Sequence, residues 1–501
     1  MMSLAVLAAL ATGEDVLDSR GTHMEVIQLY RLCCAQTLIL SNYTQPGPYT
    51  IEGMLIYMEG EFIMSKFDQI NCYLMGGVII RLALRLGLHR DATKIGGNIS
   101  VCQGEIRRRI WHTLVQIDSL SSFQIGLPSM AQSIESDTNY PSNLRDEDFG
   151  EDTTVLPESR PETERTPILY VLCKGRLIDV FGKVAAQAHR ITPPSYSEVM
   201  HLDSLLEEAF ARVPSFFRVV PLELAITDAV ELIIMRFSIG LLYHKTRCVL
   251  HRRFLMQERE NHQFAYSKKV GLESAMEVLH YQSDINRSLQ NGGRLSRDKW
   301  FISTLSMHDF LLAATIVYLN VMQSVTCDGQ HLSADTQNMI TALTKSHSIW
   351  LGSVFEAPES KKASDVLGVM LKKIRLALGA GYEGMMASNG SSENDLVSTL
   401  SLSGMSFTAR SFQPERSVAN DCKDSYPASI TAPMSSDFSG WPAITATVNT
   451  TSDTTTPSSR FDSAPDSTSS NLPESFNTML DLPSNFDWVS LFLIYFQTGF
   501  V

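Results

Sequence analysis

The sequence predicts an all-α fold, a single large multi-helix domain followed by a disordered C-terminal tail. Two observations carry the helical part. From Leu4 to about Leu378 apolar residues recur three and four positions apart over runs longer than ten residues. Alternating runs of strand length, bounded by turns, are hard to find in the same span. The tail follows from a third observation. From Asn389 the chain turns rich in Ser, Thr, Pro and Asp, a composition that cannot bury enough apolar area to offset the entropy of ordering. The expected division is therefore 1–388 and 389–501.

Taken in order, the opening run MMSLAVLAALATG is apolar, lacks a basic leader and is short for a signal peptide; it reads as a core helix whose upstream neighbours are missing. EVIQLYRLCCAQTLIL (Glu25–Leu40) and LMGGVIIRLALRLGLH (Leu74–His89) follow with helical spacing. An irregular stretch from Gly126 to Pro167 is broken by proline and acidic residues and reads as a long surface excursion. TPILYVLCKGRLIDVFGKVAAQAH (Thr166–His189) carries its own start signal, Thr166 as N-cap and Pro167 at the first helical position. The remaining helices are expected around Ser204–Val213, Ala229–Leu255, Trp300–Met322 and Ala363–Leu378.

Among the 501 residues 44% are apolar and 19% charged, enough for a sizeable core. The net charge of −13 argues against a surface built mainly to neutralise phosphates. The cysteines, Cys33, Cys34, Cys72, Cys102, Cys173, Cys248, Cys327 and Cys422, show no CxxC and no metal-ligand spacing, so reduced, mostly buried thiols and no metal are expected. WVSLFLIYFQTGFV at the end is too short to span a bilayer, so no membrane segment is expected.

GEIRRRIWHTLVQID (Gly104–Asp118) poses the sharpest question, because three adjacent arginines could face nucleic acid. With Ile106 at zero on a helical wheel, Ile110, Thr113, Leu114, Ile117 and Leu120 fall within about 80° of it. Arg107 and Arg109 flank that stripe, and Arg108 points away, the one arginine free to reach outward. Glu105 stands four residues before Arg109, a favourable helical ion-pair spacing worth about 0.3–0.5 kcal/mol. Trp111, Val115 and Asp118 form a second face, so Asp118 is expected to need a cation. Arg81 and Arg85, with His89 continuing their row, are candidates; Asp118 or Glu105 should contact Arg81, Arg85 or Arg108. A DNA-reading helix shows several basic and amide side chains on one exposed face, and this one does not.

These residues resemble the regulatory middle region of fungal-specific transcription factors, the zinc-cluster regulators. The likeness rests on RLALRLGLHRD (Arg81–Asp91), then EIRRRIW (Glu105–Trp111), then Asp118, GLP (Gly126–Pro128) and Tyr140-Pro141. It continues through Leu241–Leu255, His308–Leu319 and Lys345–Ile374, covering most of Leu4 to about Gly379. The family often has tryptophan where His112 stands and arginine where Leu127 stands. Its members usually bind DNA through six clustered cysteines holding two zinc ions, and no such spacing exists in this sequence. Either the protein is naturally a fragment or its start is missing. Arg81, Arg85, His89, Glu105, Arg108, Arg109, Trp111, Asp118, Gly126 and Pro128 are the structural and regulatory candidates.

Other motifs carry less. GAGYEG (Gly379–Gly384) matches a dinucleotide fingerprint but follows an amphipathic helix, so a helix end and linker is the better reading. His244 and His251 are seven apart without an evident third ligand, and read as interface histidines on a polar face. Cys33-Cys34 point about 100° apart on a helix and cannot easily bridge. No catalytic constellation is evident, and Glu207-Glu208 lie in ordinary surface helix sequence.

The tail holds 12 acidic and 4 basic residues, so it accounts for −8 of the −13 charges. In segment 474–488, Phe476, Met479, Leu480, Leu482, Phe486 and Trp488 alternate with Glu474, Asp481 and Asp487, the composition of an activation segment; an inert linker is the plainer alternative. The resemblance implies a nuclear transcription regulator of a metabolic or secondary-metabolite gene set, not an enzyme. It would hold no cofactor, take a small-molecule inducer between helices, form a homo- or heterodimer and reach the transcription machinery through its tail. DNA would be met indirectly or through a missing zinc cluster. A DNA-independent coregulator dimerising with a full-length relative, and an unrecognised α-helical enzyme, are the alternatives.

Overall fold

A computed structural model describes residues 23–64, 70–97, 99–255, 262–290, 292–296, 306–328, 333–352 and 358–378. The chain divides into two units, Met1–Asn389 with Asp487–Val501, and Gly390–Phe486. Every described residue belongs to the first. The opening run, GAGYEG and segment 474–488 lie outside the described residues.

The described residues form helices and no strand, as the periodicity predicts. Long helices are α1 (His23–Leu40), α2 (Thr50–Met64), α3 (Ile70–Arg85), α4 (Val101–Gln124), α5 (Pro167–Ala188), α6 (Tyr196–Ala211), α7 (Val230–His251), α8 (Ala265–Leu289), α9 (Ser306–Asp328), α10 (Ala334–Leu351) and α11 (Pro358–Leu378). Neighbours in sequence are mostly neighbours in space. α1 packs on α2, α2 on α3, α3 on α4 and α4 on α5, while α7 meets α5, α6, α8 and α9. α8, α9 and α10 pack mutually, and α11 closes on α9 and α10.

Local signals set the ends. Thr166 caps α5 by accepting from the Leu169 amide at 3.1 Å, with Pro167 first in the helix. Ser195 and Glu198 form a reciprocal capping box on α6. α4 ends in a Schellman turn: the Gly126 amide reaches Phe123 O at 3.1 Å and the Leu127 amide reaches Ser122 O at 2.9 Å. That turn needs a left-handed residue, and Gly126 supplies φ +73°.

One contiguous apolar core runs from Ile51 to Ile374. α5 and α7 are apolar around most of their circumference and are buried accordingly, with Tyr170, Phe181, Ile239 and Leu242 fully enclosed. A side chain of that kind contributes about 1.5–3 kcal/mol by leaving water. Five of the six described cysteines are buried, and burial pushes the Cys173 thiol up to about 12. No helix among the described residues is long and apolar enough to cross a membrane.

Candidate functional site

The excursion from Gly126 to Pro167 lies along α4 and α5, stitched down by polar side chains of those helices. Its anchors are largely the residues singled out in the sequence. Asp118 is buried on α4 and accepts from Ser129 Oγ at 2.6 Å and from the Ala131 amide at 2.8 Å. Burial raises its pKa, and these donors oppose the rise. The expected cation is not there. The turn folding back after Gly126 brings a hydroxyl and backbone amides instead, which satisfy a carboxylate without an arginine.

Glu105, fully buried, behaves more as expected. Arg109 Nε lies 3.2 Å away, Arg108 Nη1 lies 3.6 Å away, and the Ser142 amide donates at 3.0 Å. Arg109 also donates to Asp146 at 2.5 Å and to Leu144 O at 2.9 Å. Arg108 overturns the wheel: its side chain is only 14% exposed and turns inward to Asp91. Arg108 Nε and Nη2 donate to the Asp91 carboxylate at 2.8 and 2.9 Å, and the Thr93 and Asn139 amides add 3.1 and 3.0 Å bonds. The hydrogen bond from Arg108, opposed by burial, holds Asp91 well below the usual carboxylate range.

The wheel's centre was also misplaced, since Ile106 is 40% exposed while Glu105, Trp111 and Asp118 are buried. Apolar character alone chose Ile106. The actual interior of the first turns is a polar seam met by the 86–93 and 139–146 segments. None of the three arginines is free, because Arg107 donates to Leu86 O at 2.5 Å.

The other candidates fall around this seam. Trp111 sits in the core with the His89 ring 6.2 Å away, and His89 O accepts from Ser136 Oγ and the Asp137 amide. Arg81 bonds within its own helix to Gly77 O at 3.0 Å. Arg85 reaches Thr44 O at 2.8 Å and Gln45 at 2.7 Å, tying the α1–α2 connection to α3. Neither meets Asp118 or Glu105. Pro128 O accepts from Tyr73 OH at 3.4 Å.

Sequence reasoning missed three groupings. Tyr140 stacks on His112 at 4.4 Å and donates to Asp179, so it bridges α4 and α5. A second set joins α6, α7 and α8. His251 Nδ1 lies 2.9 Å from Ser267 Oγ, and its Nε2 lies 3.2 Å from Asp203. Tyr266 OH and Arg247 Nε donate to Asp203 at 2.6 and 3.0 Å. Burial would raise the Asp203 pKa, but contacts from His251, Arg247 and Tyr266 outweigh it and hold the carboxyl low. Glu207 is also drawn in, 2.8 Å from Arg247, so it is more than ordinary surface. The Ser-His-Asp order imitates a hydrolase triad. Ser267 and His251 are fully enclosed, however, and Ser267 Oγ donates to Tyr196 OH at 3.1 Å. No substrate reaches that hydroxyl in this conformation.

The third grouping is a set of buried charges from four helices: Glu59, Lys174, Lys245 and Asp309. Lys245 Nζ lies 3.2 Å from Asp309 and about 5.3 Å from the Phe181 ring centroid. Burial lowers Lys174 to about 7 against the opposing pull of Glu59, and burial raises Glu59 well above the carboxylate range. The signal was a charge set among apolar neighbours, as Lys174 is in ILYVLCKGRLIDVF.

An open cleft of about 770 Å³ lies between Val219–Pro221 and α8, with Tyr281, Asp284, Arg287 and Lys345 on its walls. Among the described residues no group of three or more His, Cys, Asp or Glu could hold a metal ion.

The anchors of the excursion and the buried pair Glu59 and Lys174 fall inside one match: a family model described as the fungal specific transcription factor domain covers residues 6–206. On this match the chain carries a fungal specific transcription factor domain. It is 36% identical over 355 residues to the Zn(2)-C6 fungal-type transcription factor pigI of Monascus ruber, covering 70% of this chain and 44% of that protein. It is 34% identical to the Zn(2)-C6 fungal-type transcription factor mpsB of Macrophomina phaseolina, over 74% of this chain and 52% of that one. The Equisetin cluster transcription factor eqxF of Fusarium heterosporum is 32% identical over 74% of this chain and 53% of its own length. The chain thus spans about half the length of the curated relatives it matches. No solved structure matches it.

Proposed function

We propose that this chain regulates transcription of a metabolic or secondary-metabolite gene set from the nucleus, as a regulatory body that binds partners and catalyses no reaction. The observation that carries this reading is the family match over 6–206, together with the likeness to transcription factors, among them the equisetin cluster transcription factor eqxF. The inward-turned arginines of α4 support it further, because they hold the excursion in place and leave no basic face there for a duplex. DNA is then met through a further segment or a partner, in a homo- or heterodimer. The chain itself needs no cofactor. The cleft beside α8 has the size of a small-molecule site and is the place for an inducer. The acidic segment 474–488 contacts the transcription machinery.

The test is to fuse the full chain to an unrelated DNA-binding module and read a reporter downstream of that module's site. A changed output, reduced when Phe476, Leu480 and Trp488 become alanine, supports the reading. Output equal to that of the module alone contradicts it.

A further inference from the structure

α11 presents two faces of different chemistry. Ala363, Leu367, Leu371 and Ile374 are buried against the body. On a wheel of 100° per residue, Val366, Lys373, Lys362, Val369 and Leu376 fall within about 80° of one another on the opposite side. The three apolar members are 45%, 55% and 73% exposed, at Val366, Val369 and Leu376. Lys361, Lys372 and Arg375, also exposed, extend the rim.

The cations on this face differ from the six arginines that pair inside the body, Arg108, Arg109, Arg160, Arg176, Arg236 and Arg247, each of which meets a carboxylate. Lys361, Lys362, Lys372, Lys373 and Arg375 meet none among the described residues. The two lysine pairs stand eleven residues apart, about three turns or 16 Å along the axis. Valines lie between them, and Asp365 is the one carboxylate on the face among the described residues.

We propose that this face docks an acidic amphipathic helix of another protein. Such a helix supplies apolar side chains at three- and four-residue spacing for Val366, Val369 and Leu376, and carboxylates for the lysine pairs at each end. A second copy of α11 fits poorly, because an isologous contact brings five cations against five. A duplex fits poorly as well, since phosphates gain nothing from the exposed valines and leucine.

The experiment measures anisotropy of short labelled peptides against the full chain. One peptide is helical with a leucine stripe flanked by glutamates; its counterparts carry lysine for glutamate or alanine for leucine. The inference expects saturable binding of the acidic peptide alone, weakened about tenfold or more by Lys362→Glu with Lys373→Glu, and likewise by Val369→Asp. These positions are exposed, so the variants should keep the parent's circular dichroism and Tm, which is checked in parallel. Three results overturn it: no saturable binding, equal binding of the alanine peptide, or a short duplex DNA that competes for the same face at equal strength.

Discussion

Arg108 turns its guanidinium inward and grips Asp91 with two hydrogen bonds of 2.8 and 2.9 Å. Asp91 in turn accepts from the Asn139 amide, so one carboxylate joins α4 to the excursion that follows it. An arginine triplet that could have faced a duplex is thereby spent on the protein's own interior.

Arg108→Ala should destabilise the chain by about 3 kcal/mol at neutral pH, because it leaves a buried carboxylate without its cation. Arg108→Lys should recover only part of this, having lost the two-pronged geometry. The held-down Asp91 contributes stability above the ordinary carboxylate range and loses it as pH falls through its lowered pKa. The gap between parent and variant in urea midpoint should therefore shrink in acid. An equal gap at pH 7 and pH 3 would contradict the assignment.

Gly126→Ala should cost about 1 kcal/mol, since the Schellman turn demands φ +73° there. Gly126→Asn should cost less, because asparagine tolerates the left-handed region better. Thermal melts of both variants check the order; alanine as mild as asparagine would count against a backbone origin.

Lys174 contributes a pH dependence on the alkaline side. Its pKa in the folded protein is about 7, below the unfolded value, so between the two the unfolded chain binds a proton that the folded one lacks. Stability from this group rises with pH across that window, by at most about 1.4 kcal/mol per pH unit. Urea midpoints at pH 7, 8 and 9 should show a smaller rise in Lys174→Met than in the parent. Parallel profiles would contradict the buried lysine.

Ser267→Ala tests the arrangement that, among the described residues, imitates an enzyme. With Ser267 and His251 fully enclosed, hydrolysis of an activated ester by the purified chain should be the same in parent and variant. A turnover that vanishes with the serine hydroxyl would favour the α-helical enzyme alternative.

The sequence made the helices legible where their periodicity was strong and their caps were explicit, as at Thr166-Pro167. α2, α8 and α10 were not singled out. α8 carries many polar residues on its buried face, Ser267, Ser274, Gln282 and Ser288 among them, which blurs an apolar stripe. At the site, Glu105 with Arg108 and Arg109 was readable because helical spacing is local. The partners of Asp91, Asp118 and Asp203 were not, since they arrive from loops and helices 11 to 63 residues away. Ile106 misled for a related reason: the wheel ranks apolarity, whereas here a network of paired charges took the inside of the helix.

On the proposed reading, this body works through its partners without gripping a duplex. The direct measurement is binding of the purified full chain to duplex DNA across a salt series. The claim predicts no saturable complex at physiological salt. A tight complex whose affinity falls steeply with added salt, the mark of many neutralised phosphates, would contradict it.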